Sequence, residues 1–160
     1  MTSGTKGGWS KVLNNPAPNT RFVVDGGKFI YDTDNLGRVV SAEGILDNIG
    51  PAARNAYQQG IAGRGDGLPG DDPGHVFASL FEGPGEAINV TAMRQSLNRT
   101  GSRDFYQLGQ VWRGTRDRGN TIAPTMELVY PGNSMRPIQY LVKCVNEAGV
   151  PKLASLMRCH

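Results

Sequence analysis

The chain is poor in the residues that build disulfide frameworks and clustered metal sites. Cys144 and Cys159 are its only cysteines and His75 and His160 its only histidines. One disulfide at most can form, and a structural Cys/His zinc site would need all four side chains, one of them at the final position. Long apolar runs are also missing. Nothing approaches the roughly 20 residues that span a bilayer, so no membrane insertion is expected. Residues 1–8, Met-Thr-Ser-Gly-Thr-Lys-Gly-Gly, lack the apolar core of a signal peptide. Export therefore requires another route or a larger precursor. Charged residues make up only 19% of the chain and hydrophobic residues 38%, with 22 Gly and 10 Pro. That is too apolar for a disordered chain and too rich in helix breakers for a coiled coil or helical bundle.

The 160 residues suit one domain with a real core. Residues 1–19 combine Gly, Ser, Asn and Pro without apolar periodicity and are expected to be a flexible arm or linker, with residues 20–160 as the single domain. The net charge is +3 and the pI near 9.0, a mild surplus that serves solubility or an anionic partner equally well. Its distribution is more specific. From Arg94 to Arg118 there are six arginines (Arg94, Arg99, Arg103, Arg113, Arg116, Arg118) against Asp104 and Asp117, which marks this stretch for phosphate contacts.

Along the chain, Arg21-Phe-Val-Val, Lys28-Phe-Ile-Tyr and Arg38-Val-Val-Ser are β-branched and aromatic runs separated by turn formers, predicting a strand meander. Pro51 to Gln59 predicts a short helix closed by Gly60, and the glycine-dense 60–74 a long loop. Two short strands are expected at His75-Val-Phe-Ala and Ala87-Ile-Asn-Val-Thr, then a helix over 93–98. A second helix over 104–112 would align Phe105, Leu108 and Trp112 on a core-facing stripe. Residues 125–130 and 139–145 predict a closing hairpin. Gly65-Asp-Gly-Leu-Pro-Gly70 fits G-x-G-x-x-G, but no strand feeds it, so it reads as loop. Asp32, Asp34, Gly37 and Glu43 fall at calcium-loop spacing, but Leu36 takes a ligand position, so a hairpin turn is expected.

The informative stretch is Gly70-Asp-Asp-Pro-Gly-His75, followed by Gly83-Pro-Gly-Glu-Ala-Ile-Asn89 and Leu97-Asn98-Arg99. In this order the three motifs resemble the DNA/RNA non-specific endonucleases of the ββα-metal, or His-Me finger, group, in particular its bacterial polymorphic-toxin branch. The resemblance runs from about Phe29 to Val145. It implies an α+β fold, an antiparallel β-sheet carrying a ββα-metal motif with short helices. It also implies that His75 is the general base and Asp72 a supporting catalytic residue, that Asn98 ligates one Mg²⁺ or Mn²⁺ ion, and that Asn89 supports the site. Arg64 resembles the family's phosphate-contacting arginine, with Arg94, Arg99 and Arg103 as further nucleic-acid contacts. Pro73 stands where familiar members carry Arg. Gly109 stands where they place a Glu that holds metal-associated water, with Gln107 or Gln110 as neutral substitutes.

The activity implied is sequence-non-specific hydrolysis of DNA or RNA phosphodiesters, because such a site sees backbone geometry rather than bases. The same resemblance implies a toxin or effector domain delivered without a classical signal peptide, acting in the target-cell cytoplasm and neutralised by a cognate acidic immunity protein. Two rival readings stay open. One is a degraded member that binds nucleic acid without turnover, suggested by Gly109 and Pro73; the other is a β-rich interaction domain in which His75 is structural.

Overall fold

Alternation of apolar and polar residues from Arg21 onward is realised as a meander. Strand β1 (Arg21–Val24) turns Phe22 and Val24 inward, β2 (Phe29–Thr33) turns Phe29, Tyr31 and Thr33 inward, and β3 (Val39–Gly44) turns Val39, Ala42 and Gly44 inward. A register shift at Asp32/Thr33 accounts for the skipped beat in β3. The computed structural model describes residues 1–50, 52–98, 112–145 and 151–158. Three later strands, β6 (Pro124–Val129), β7 (Gln139–Val145) and β8 (Pro151–Arg158), complete an antiparallel sheet in the order β1-β2-β3-β6-β7-β8. The β6–β7 hairpin lies where the sequence predicts it, whereas β8 has no counterpart among the predicted strands.

A second, two-stranded sheet pairs β4 (Asp71–His75) with β5 (Val90–Arg94), and the short helix α3 (Gln95–Asn98) follows β5 directly. This ββα unit packs on the inner face of the large sheet through aromatic contacts. Phe77 lies 5.2 Å from Phe29 and 6.1 Å from Tyr31, ring centre to ring centre. A Cβ on Gly44 would come within 2.9 Å of Phe77, so the sheet keeps a glycine where the ring lands. Burying Phe22, Phe29, Phe77 and Phe81 completely contributes about 2–3 kcal/mol per ring. The fold is α+β, as expected.

Three expectations shift. The strand predicted at His75–Ala78 is instead Asp71–His75, and the long loop accordingly ends at Gly70. Asp and Pro disfavour strands, yet Pro73 is tolerated because a strand in a two-stranded sheet has one edge that needs no N–H. The run Ala87–Thr91 begins with a 3-10 turn, Ala87–Asn89, before β5. The first 19 residues are not a free arm. They carry helix α1 (Lys11–Asn14), capped by Ser10, whose Oγ accepts from Leu13 N; Leu13 is fully buried, and Ser3 bonds Asp25 through both its N–H and its hydroxyl. A Gly- and Ser-rich segment shows no apolar period, but its backbone donors can dock on carboxylates. The helix expected over 104–112 lies outside the described residues except for Trp112, which is helical with the residues up to 117 and meets Phe81 edge-on.

Candidate active site

The site begins with a turn. Gly70 has φ of +87°, a left-handed conformation that glycine adopts without strain, and it delivers the chain into β4. The Gly70 carbonyl accepts the Gln95 N–H at 3.1 Å, which pins the start of α3 against the start of β4, while Leu97 is buried. Asn98, at the end of that helix, thereby reaches Asp72, donating from Nδ2 to Asp72 Oδ2 at 3.4 Å. Asp72 is 9% exposed. An amide that gives its N–H to a carboxylate directs its carbonyl oxygen away from it, and that oxygen is the atom a hard cation takes.

His75 ends β4, opposite Val90. It is 7% exposed, and its Nε2 has no hydrogen-bond partner among the described residues. Burial, aided by the charge of Arg54, pushes the imidazole pKa down to about 4, so the ring is neutral at physiological pH. Gly74 fits tightly beside it: an added Cβ would lie 2.7 Å from the Met93 side chain across the strand pair. The glycine before the histidine thus answers to cross-strand packing.

Asn89 is fully buried and acts as scaffold. Its Oδ1 accepts from Phe77 N at 2.9 Å and from the Tyr31 hydroxyl at 3.0 Å, and its Nδ2 donates to the carbonyls of Phe77 and Pro84, both at 2.8 Å. Its own carbonyl accepts Val76 N at 2.8 Å. The two residues after His75 are therefore fixed by one asparagine, with every polar atom of its side chain used.

The arginines divide. Arg64 is exposed and donates from Nη2 to the Asn14 carbonyl at 2.9 Å, facing the amino-terminal segment. Arg94, also exposed, stands opposite Asp71 in the β4–β5 register and helps hold that carboxyl below its usual range, after the larger effect of the Arg136 hydrogen bond. Arg99, Arg103, Gly109, Gln107 and Gln110 lie outside the described residues.

Sequence reasoning passes over Arg54, which falls inside the short helix predicted from Pro51. The chain approaches it alongside the segment after His75, with Gly50 N donating to Leu80 O at 2.9 Å and Ala52 N to Ser79 O at 2.8 Å. Helix α2 (Ala56–Gly60) follows, capped by Asn55, and packs on β4. A lone arginine before a capping asparagine carries no motif; only the effect of its charge on His75 makes it visible. A buried ion pair is equally invisible in the sequence. Arg136, from the β6–β7 connection, meets Asp71 through Nε at 2.6 Å and Nη2 at 2.8 Å, so Asp71 and Asp72 serve opposite sides of the same strand.

No group of three or more His, Cys, Asp or Glu capable of holding a metal occurs among the described residues. An amide oxygen next to one carboxylate still fits a Mg²⁺ ion, which keeps most of its shell as water.

With this geometry in view, comparison with known proteins gives one family. Residues 18–147 match the model of the DNA/RNA non-specific endonucleases. The chain belongs to that family. A type VII secretion system protein, EssD, from Staphylococcus aureus strain USA300 is 34% identical over 119 residues, covering 71% of this chain and 19% of that protein. The chain thus spans about a fifth of the length of the curated relatives it matches. In fold, it resembles NucA from Streptococcus agalactiae with magnesium bound, at a TM-score of 0.61 and 14% identity over 89% of this chain and 78% of that one. The metal-free form of the same nuclease gives 0.59 at 13% identity, over 91% and 73%. Identities this low speak for the fold alone.

Proposed function

We propose that this member of the endonuclease family hydrolyses phosphodiester bonds of DNA, RNA or both without sequence specificity, as the nuclease domain of a secreted toxin. The observation that carries the reading is the ββα unit itself, where a buried neutral histidine with a bare Nε2 shares a strand with the aspartate that meets Asn98. In this reading His75 Nε2 takes the proton from the attacking water. Asn98, supported by Asp72, would hold one Mg²⁺ or Mn²⁺ ion, which when bound would supply positive charge against the scissile phosphate. Arg54, rather than Arg64, meets the phosphate, because its charge already bears on His75. Neutralising Arg54 with a phosphate relieves its effect on the imidazole and strengthens the base only when substrate is in place.

Asn89, Val76 and Phe77 hold the histidine loop without touching substrate. Arg94, with Arg99 and Arg103, extends the positive surface to neighbouring phosphates, contacts that carry no base information. The likeness to a type VII secretion system protein supports delivery out of the producing cell; in this reading the domain then acts in the cytoplasm of a target cell and is neutralised by a cognate acidic immunity protein.

The test is cleavage of supercoiled plasmid and total RNA with Mg²⁺ and with EDTA. The expected result is degradation in Mg²⁺ only, lost by a factor of about 10²–10⁴ in His75→Ala, with Asn98→Ala requiring more Mg²⁺ for half-maximal rate. Metal-independent cleavage, or full activity in His75→Ala, would overturn the mechanism. No cleavage by folded protein with any divalent ion would favour the binding-only reading.

A further inference from the structure

The family match begins at residue 18, yet residues ahead of it make specific bonds to the connection that runs from His75 to β5. Glu86 is fully buried. Its Oε1 accepts the backbone N–H of Gly4 at 2.6 Å and of Ser10 at 3.1 Å, while Oε2 has no partner among the described residues. Asn14 continues the line: its Oδ1 accepts Ala87 N at 3.1 Å, and its carbonyl accepts Arg64. Trp9 lies against Gly85, where an added Cβ would come within 2.8 Å of the indole and 2.7 Å of the Ala53 carbonyl. Three segments meet at that glycine: the amino-terminal stretch, the loop before β5, and the run into Arg54.

We propose that residues 3–15 form a strap that positions His75 through the 76–89 connection that follows it, with Glu86 as its anchor and Asn14 and Trp9 as the positioning residues that act through it. The proposal rests on the nuclease reading above. The path is short and consists of named bonds. Strap contacts fix residues 85–87; the 3-10 turn Ala87–Asn89 follows at once; Asn89 then holds Val76 and Phe77, the two residues after His75. Contact with Ala53 places the same constraint next to Arg54. A buried carboxylate needs donors, and the described donors to Glu86 come from the strap, so the loop and the strap order each other.

Asn14→Ala and Trp9→Ala in the full chain test this, neither residue being fully buried. The expected result is a fall in kcat of about tenfold or more, since small displacements of catalytic groups are costly, with KM for plasmid little changed. Amide hydrogen exchange, read by mass spectrometry, should quicken in residues 76–90 while β1–β3 stay as protected as in the parent. Asn14→Asp keeps an acceptor for Ala87 N and should restore both readouts. Unchanged kcat in the folded variants would overturn the proposal, and so would faster exchange spread evenly through β1–β3, which marks general stability rather than positioning. Exchange needs no turnover. If the parent protein proves inactive the nuclease reading falls, while a local exchange response confined to 76–90 still establishes the strap's hold on the loop.

Discussion

His75 stays neutral at mildly acidic pH, where an imidazole in water would carry a proton. Its pKa is driven to about 4 first by burial and second by Arg54, so both its reactivity and its contribution to stability have a defined pH dependence. In the free enzyme the ring stays unprotonated down to about pH 4, and the acid limb of kcat/KM should fall there instead of near the ordinary 6.5. A phosphate on Arg54 removes part of the opposing field, so the acid limb of kcat should lie at higher pH than that of kcat/KM. Steady-state rates from pH 3.5 to 8 check both, and coincident limbs at 6.5 would refute the buried-base account. Stability follows the same group. Between pH 6.5 and 4 the unfolded chain protonates His75 while the folded chain does not. Acidification through that window should therefore cost up to about 3 kcal/mol, with no further loss from this residue below it. Urea melts of the parent and of His75→Gln at pH 7, 5 and 4 isolate that component.

At the scale of elements, the site depends on how β4 is held at its start. The strand has the composition of a turn, Asp-Asp-Pro-Gly-His, and is kept extended by its neighbours: β5 along one edge, α3 through the Gly70 carbonyl, and the β6–β7 connection through Arg136. The Asp71–Arg136 pair has side-chain exposures of 8% and 7%. Leu68 N also donates to Asp71 at 2.8 Å, and Asp66 accepts Met135 N at 2.7 Å, stitching the glycine-rich loop to the same connection. Removing one member of a buried pair leaves the other uncompensated. Arg136→Ala should therefore destabilise the fold by about 3–5 kcal/mol in denaturant melts, whereas replacing both residues by apolar ones of similar volume should cost far less. Equal losses in the two variants would show that the pair acts through packing alone. The Asp71 carboxyl titrates below its ordinary value because of Arg136, so its contribution is present at neutral pH and disappears as the medium is acidified below the usual carboxylate range.

For the whole molecule, a net charge of +3 says little about how nucleic acid is gripped; position decides. Arg21 and Arg38 are paired with Asp32 and Asp34 on the meander, and Lys28 with Asp47 and Glu82. Those cations are spent on the scaffold. Arg94 ends β5, Arg54 bears electrostatically on His75, and both are exposed. In EDTA, binding to duplex DNA should weaken with salt, and Arg54→Ala and Arg94→Ala should each flatten the log–log slope by about 0.9 for every phosphate left unneutralised. Charge removal at Arg21 should leave that slope unaltered. If Arg21→Ala flattened it equally, net charge rather than a defined surface would govern binding.

Taken alone, the sequence specified the meander, the β6–β7 hairpin and the motif order around His75, Asn89 and Asn98, whose resemblance to the endonucleases implied the α+β class. These are local signals: period-two apolar runs, turn formers, and residue types at fixed spacing. It misplaced β4, because a strand made of Asp, Pro and Gly exists only through its partners, and it read residues 1–19 as an arm, because backbone donors that dock on a distant carboxylate leave no periodicity. The approach of Arg54 to His75, the meeting of Asp72 with Asn98, the Asp71–Arg136 pair and the depressed pKa of a buried histidine were decided only by tertiary structure. Each depends on segments far apart in the chain being brought together, and on water being excluded when they meet.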